Sequence, residues 1–150
     1  MTEVRVLACG CFDGLHVGHL KHLQKARSLG DHLMVALTHD DYVGKGPGRP
    51  VFGWKEREAM LSALRCVDGV MLHVDIGSTL RLYKPDIYVK GVEYEGQLFE
   101  EGLCNDLGIK VVFLDTKPVY SSTALLSGET LNARIAASLA GRREKSPLCG

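Results

Sequence analysis

A chain of 150 residues is long enough for one domain with a proper core and too short for two, and its 45% apolar and 24% charged content is that of a soluble globular domain. With 18 Lys and Arg against 18 Asp and Glu, it has no net charge to draw it toward nucleic acid or an anionic membrane, so any phosphate binding must come from local arrangement. No apolar run approaches the ~20 residues of a membrane span, a strand begins by Val4, and the five scattered cysteines suit a reducing compartment, so a cytoplasmic protein with no membrane or nucleic-acid partner is expected.

From the N-terminus onward, apolar runs at residues 5–9, 33–38, 70–74, 86–90 and 110–114 read as strands. They are rich in β-branched residues and mostly continuous, as strands covered on both faces are. Leu20, Leu23 and Ala26 recur at helical spacing, with Gly30 placed to end that helix. Met60, Leu61 and Leu64 mark a helix over residues 54–67. Residues 80–83 form a short helix at most before Pro85, and residues 98–107 form another, ended by Gly108. Leu131, Ile135 and Leu139 mark a last helix ended by Gly141. This alternation predicts an α/β fold, a Rossmann-like open sheet of about five parallel strands with helices on both faces, over residues 1–140. Residues 141–150 read as a flexible tail. Residues 40–53, built around Gly44-Lys45-Gly46-Pro47-Gly48-Arg49-Pro50, read as a long functional or mobile loop.

In an open parallel sheet, ligands bind beyond the carboxyl ends of the strands, where strand order reverses. The polar residues after the strands therefore share one rim. Asp13, His16 and His19 follow the first strand; Thr38, His39, Asp40, Lys45 and Arg49 follow the second, with Arg57 close behind. Lys90, Gly91, Glu93 and Tyr94 follow the fourth, and Asp115, Lys117, Ser121, Ser122 and Thr123 the fifth. In the stretch Gly10-Cys11-Phe12-Asp13-Gly14-Leu15-His16-Val17-Gly18-His19-Leu20, Gly10 permits a sharp turn off the strand, and Gly14 and Gly18 permit close approach of a ligand. The helix start that follows favours an anion. His16 and His19 are three residues apart and can face the same phosphates, where imidazole donors would stabilise charge developing in phosphoryl or nucleotidyl transfer. A single histidine there would read as a cap; two with Gly18 between them favour function. His22, His32 and His73 carry no such signal. Ser121-Ser122-Thr123 reads both as an N-cap and as an anion site. The Gly44-x-Gly46-x-Gly48 spacing is not a dinucleotide fingerprint, because it is not set tightly between strand and helix, and no G-x-x-x-x-G-K-[ST] loop occurs. Cys9 and Cys11 lack a second ligand pair at zinc spacing, so no protein-held metal is expected.

The first stretch resembles the His-x-Gly-His signature of the nucleotidyltransferase superfamily, within its cytidylyltransferase-like branch. Arg49-Pro50-Val51-Phe52 with Glu56-Arg57 and Leu61 resembles that family's basic loop and the arginine-bearing helix after it. Lys84-Pro85-Asp86-Ile87-Tyr88-Val89-Lys90-Gly91-Val92-Glu93-Tyr94 resembles a stretch of the heptose-1-phosphate adenylyltransferases, and Tyr120-Ser121-Ser122-Thr123 resembles the family's C-terminal Ile-Ser-Thr-Thr motif. The resemblance implies transfer of a nucleoside monophosphate from a nucleoside triphosphate to a small phosphorylated acceptor, with release of pyrophosphate. It implies ATP and a heptose 1-phosphate first, and CTP with glycerol 3-phosphate or another polyol phosphate as the alternative.

By the same resemblance His16, His19, Lys45 and Arg57 are the catalytic set. Gly10, Cys11, Phe12, Gly18, Lys90, Gly91, Glu93, Ser121, Ser122 and Thr123 bind the nucleotide, and Asp13, Thr38 and Lys45 face the acceptor. Mg²⁺ would bridge the phosphates, held mainly by them and by water, and the chain would form a homodimer. The sequence departs from the family in three places. Thr116 and Lys117 stand where an arginine precedes the Ser-Thr-Thr motif, Glu93 replaces the usual aspartate, and Val92 a common glycine. Two readings outside this class are a non-catalytic nucleotide-binding module and a metalloprotein ligated by His16 and His19. The first leaves the histidine pair unexplained and the second lacks a third ligand.

Overall fold

The computed structural model describes residues 2–116. The expected last helix, the tail, Lys117 and Ser121-Ser122-Thr123 lie outside the described residues. Strands β1 (Arg5–Gly10), β2 (His32–Thr38), β3 (Gly69–His73), β4 (Ile87–Gly91) and β5 (Lys110–Leu114) alternate with helices α1 (Val17–Arg27), α2 (Trp54–Ser62), α3 (Ile76–Tyr83) and α4 (Glu101–Leu107). The strands form one parallel sheet in the order β3-β2-β1-β4-β5. The chain builds outward from β1 to β3, then crosses back to lay β4 on the other side of β1. Strand order therefore reverses between β1 and β4.

Period-two alternation along β1 explains why both faces are covered. Val6 and Ala8 point into a core with Leu23 and Ala26 of α1, Leu61 of α2, and Leu33, Val35 and Leu37 of β2. Leu7 points the other way, against Leu80 of α3, Cys104 of α4, Ala36 and Tyr88. All of these residues are fully buried. The predicted α/β architecture with helices on both faces is the one observed.

The helix boundaries differ from expectation. The helix expected over residues 54–67 stops at Ser62. Beyond it Leu64 and Val67 donate in succession to Leu61 and Leu64, a tighter turn that delivers Val67 to the core. Asp68 then meets β2, exchanging main-chain and side-chain hydrogen bonds with Leu33. The helix expected to be at most residues 80–83 begins at Ile76, because Asp75 caps it, accepting from the Ser78 N–H at 2.9 Å and the Ser78 hydroxyl at 2.7 Å. The helix expected from residue 98 starts at Glu101. Before it, Leu98 is buried and the Tyr88 hydroxyl donates to the buried Glu100 carboxylate at 2.7 Å.

Gly30 does not end α1. That helix closes on Ser28, and Gly30 lies beyond it, packed so tightly on β1 that a Cβ there would sit 2.6 Å from the Val4 carbonyl oxygen.

Candidate active site at the strand-order reversal

The turn from β1 to α1 is shaped by Phe12. Its φ of 51° is left-handed, and its buried ring is set edge-on to His19, with centroids 5.3 Å apart. A Cβ on Gly10 would lie 3.0 Å from that ring, so the strand ends in glycine to leave room for Phe12 rather than to gain conformational freedom. His19 in turn stacks on His16, with centroids 3.9 Å apart and the planes 24° from parallel.

Both imidazoles also cap the helix. His16 Nδ1 accepts the Gly18 N–H at 3.1 Å, and His19 Nδ1 accepts the His16 N–H at 3.3 Å, a capping box made of two histidines. Capping and function are not competing readings here. A ring whose Nδ1 accepts a hydrogen bond carries its proton on Nε2, so the cap turns both rings into donors pointing away from the helix. His16 Nε2 is buried and has no hydrogen-bond partner among the described residues. Burial lowers the basicity of His16. It lowers that of His19 to about 3, with the charges of His16, Lys45 and His22 adding to the effect. Both rings are therefore neutral donors near pH 7.

The loop over residues 40–53 is fastened at both roots. Asp13 is fully buried; its carboxylate accepts from Arg49 Nε at 2.7 Å and from the main-chain N–H groups of Val51 at 2.8 Å and Phe52 at 2.9 Å. Burial alone would raise its pKa, but these donors together hold it below the usual carboxylate value. Arg57, 2% exposed, donates to the carbonyls of Phe52 (2.8 Å), Cys11 (2.8 Å) and Thr38 (2.9 Å) and to the Asp40 carboxylate.

The resemblance gives Asp13 the acceptor side and puts Arg57 in the catalytic set; here Asp13 accepts from Arg49, Val51 and Phe52, and Arg57 donates to Phe52, Cys11, Thr38 and Asp40. They tie the β1 turn, the end of β2 and the loop into one body. Arg49 is the partner that sequence reading did not single out for Asp13. Lys45, at the exposed tip, is flanked by Gly44, Gly46 and Gly48, all with left-handed φ. Its charge is felt at His19.

The remaining expected residues among those described lie toward the same end of the sheet. The Thr38 hydroxyl donates to the Gly10 carbonyl at 3.2 Å and lies 3.4 Å from His73 Nε2, which is 3.0 Å from Cys9 Sγ. Burial pushes the Cys9 thiol up to about 12, so it is no nucleophile. Across the reversal, Lys90 holds its ammonium 4.3 Å above the centre of the Tyr94 ring. Glu93 folds back onto Gly91: a Cβ on that glycine would meet the carboxylate at 2.3 Å. His22, a turn below His19 on α1, faces the same crevice, with Nδ1 3.5 Å from Thr116 Oγ1. The three-residue spacing of His16, His19 and His22 was the available signal for it. No cluster of three or more potential metal ligands occurs among the described residues.

Residues 7–125, spanning the histidine turn, the loop and the rim, match the family model described as Cytidylyltransferase-like. The chain belongs to the cytidylyltransferase-like family. This cytidylyltransferase-like domain is similar to the bifunctional protein HldE of Streptomyces coelicolor, 45% identical over 135 residues that make up 86% of this chain and 29% of the relative. HldE of Helicobacter pylori strain P12 is 37% identical over 125 residues, 81% of this chain and 26% of that one. The chain thus spans under a third of these relatives. The lipopolysaccharide core biosynthesis protein from Thermoplasma volcanium has a crystal structure that superposes with a TM-score of 0.66 at 31% identity, covering 78% of this chain and 100% of the other. Pantothenate synthetase from Thermus thermophilus, at 16% identity and a TM-score of 0.61 over 94% of this chain and 71% of that one, shares the fold. The cytidylyltransferase-like chain is therefore a nucleotidyltransferase domain, and no helix among its described residues is long and apolar enough to cross a membrane.

Proposed function

We propose that the chain transfers a nucleoside monophosphate from a nucleoside triphosphate to a small phosphorylated acceptor, with ATP and a heptose 1-phosphate as the pair that fits best. The observation that carries this reading is the two-histidine capping box at the strand-order reversal, which aims two neutral N–H donors where a helix start already favours an anion. In the reaction an acceptor phosphate oxygen bonds to the α-phosphorus in line. The bond to the bridging oxygen breaks, and pyrophosphate leaves with the electron pair. The Nε2–H groups of His16 and His19 hydrogen-bond phosphoryl oxygens as their charge grows, and Lys45 adds a cation from the loop tip. Such a step needs positioning and electrostatics and no covalent intermediate. Thr38 lies on the acceptor side, Lys90 to Glu93 on the nucleoside side, and Ser122 and Thr123 hold outgoing phosphates.

Mg²⁺ supplies charge neutralisation on the triphosphate. Asp13 and Asp40 are engaged by Arg49 and Arg57, so the described residues offer no carboxylate cage, which suits an ion held by phosphates and water. The similarity to HldE and to the lipopolysaccharide core biosynthesis protein supports a sugar phosphate as acceptor. The deciding experiment is pyrophosphate release from each of the four nucleoside triphosphates with heptose 1-phosphates, glycerol 3-phosphate and other polyol phosphates. ATP with a heptose 1-phosphate is the expected productive pair. Turnover of CTP with a polyol phosphate moves the assignment to the cytidylyltransferases, and silence from a folded protein that binds nucleotide overturns the enzyme reading.

A further inference from the structure

We propose that Arg57 is a positioning residue for the transfer step: by holding the Cys11 carbonyl it keeps the Phe12 main-chain N–H turned toward the strand-order reversal, as a donor to phosphoryl oxygens. This rests on the nucleotidyl-transfer reading above. Three observations carry it. β1 stays paired with β2 as far as Gly10 and Leu37 but leaves β4 after Ala8 and Val89, so the sheet opens on the β4 flank of the turn. One nitrogen of Arg57, Nη1, donates to two carbonyls at once, those of Cys11 at 2.8 Å and Thr38 at 2.9 Å. Among the described residues the Phe12 N–H donates to no protein acceptor.

The strand register shows what Arg57 prevents. The His32 N–H meets the Val4 carbonyl, so even-numbered residues of β1 bond to β2 along the ladder. One step past Gly10, the next rung would run from the Phe12 N–H to the Thr38 carbonyl. That rung is not made. The Cys11 carbonyl lies on that side instead, with Arg57 Nη1 shared between it and the Thr38 carbonyl. Two carbonyl oxygens brought together repel unless a donor bridges them, and this buried guanidinium is a fixed one. In a planar trans peptide the C=O and the N–H point in opposite directions, so the Phe12 N–H is aimed away from β2, toward the opening beside β4. Turning that peptide over also changes the φ of the residue after it, and Phe12 has the left-handed value of 51°. Without Arg57 the peptide is free to turn back, extend the β1–β2 ladder by one rung and spend its N–H on Thr38. With it, the anion that meets His16 and His19 also meets a fixed main-chain donor.

The test removes the N–H alone, by the substitution Phe12→phenyllactate that turns the amide into an ester, and reads pyrophosphate release. Loss of one oxyanion donor should lower kcat ~10²–10³-fold and leave KM within about threefold. Arg57→Met, which keeps the stem but no donor, should lose as much. The ester in the Arg57→Met background should then lose nothing further, because both changes remove the same donor. Arg57→Lys, whose ammonium can still bridge two carbonyls, should recover most of the turnover. Amide hydrogen exchange gives an independent readout: Phe12 should exchange fast in wild type and more slowly in Arg57→Met, where its N–H joins the Thr38 carbonyl. A merely structural role for Arg57 would make the two losses multiply and leave exchange at Phe12 no slower, and that result overturns the proposal. So does an ester protein with wild-type turnover, a measurement that needs no change at Arg57. If the wild type turns over no triphosphate at all, the transferase reading itself fails and this inference falls with it.

Discussion

The Nδ1 atoms of His16 and His19 both accept main-chain N–H groups of the helix start, at 3.1 and 3.3 Å, while the rings stack 3.9 Å apart. Cap and chemistry are thus carried by different atoms of one ring and can be separated. His16→Asn retains a capping acceptor and loses the Nε2 donor. Its thermal stability should stay within ~0.5 kcal/mol of wild type, while turnover by pyrophosphate release falls ~10²–10³-fold. His16→Ala should lose both turnover and about 1 kcal/mol of stability. Equal turnover in wild type and the Asn variant would remove His16 from the chemistry.

The lowered basicity of the pair makes a prediction about pH. An unfolded histidine takes up a proton near 6.5, whereas His19 in the fold does so only near 3. Between those values the unfolded state binds more protons, so stability should rise with pH across that window and be fully present above it. His19→Gln, which can still accept the His16 N–H, should show a shallower dependence of the urea midpoint from pH 4.5 to 6.5. An unchanged slope would mean that His19 is not the titrating group.

Asp13 and Arg49 form a pair with side chains 0% and 9% exposed, so removing one takes a charge-assisted hydrogen bond from the other in a poorly solvated place. Asp13→Ala should cost ~3–5 kcal/mol. The Asp13→Ala/Arg49→Ala double variant should cost less than the sum of the single ones, a coupling readable from denaturant midpoints in a double-mutant cycle. Strict additivity would show that the pair does not hold the loop.

Gly30 and Gly91 look alike on paper and should behave in opposite ways. Alanine at Gly30 drives a methyl to 2.6 Å from a main-chain carbonyl that cannot step aside. It should destabilise by ~1–3 kcal/mol. Alanine at Gly91, where φ is −73°, meets only the movable end of Glu93. Its stability should therefore stay within ~0.5 kcal/mol of wild type. Denaturation curves of the two variants check both halves.

The sheet was legible because helices pack on both of its faces, which leaves apolar runs such as residues 110–114 that coincide with β5 and send Val112 and Leu114 to one core and Val111 and Phe113 to the other. The reversal between β1 and β4 puts the described post-strand residues at one end of the sheet, an arrangement that strand order alone already implies. What escaped was partnership. Nothing in the sequence says that Asp13 will be paired with Arg49, or that Arg57 will donate to three carbonyls, because those pairings depend on how the loop closes in space. A charged residue at a rim position is open to a ligand on paper, whereas the Asp13 and Arg57 side chains engage their own chain. His22 was passed over for the converse reason. Spacing put it a turn beyond His19 on α1, but its nearness to Thr116, just after β5, depends on how α1 packs on the sheet.

The two fastenings of the loop have a mechanical consequence. Because Asp40 is held by Arg57, and Arg49, Val51 and Phe52 by Asp13, the segment at residues 44–48 is a short arc hung between fixed posts. Lys45 rides on that arc, so its local concentration at the imidazole pair is set by chain geometry, as for a ligand on a short tether. Glycines let the arc flex without letting it drift. Lengthening it with inserted glycines would dilute the ammonium at the histidines while leaving every fastening intact.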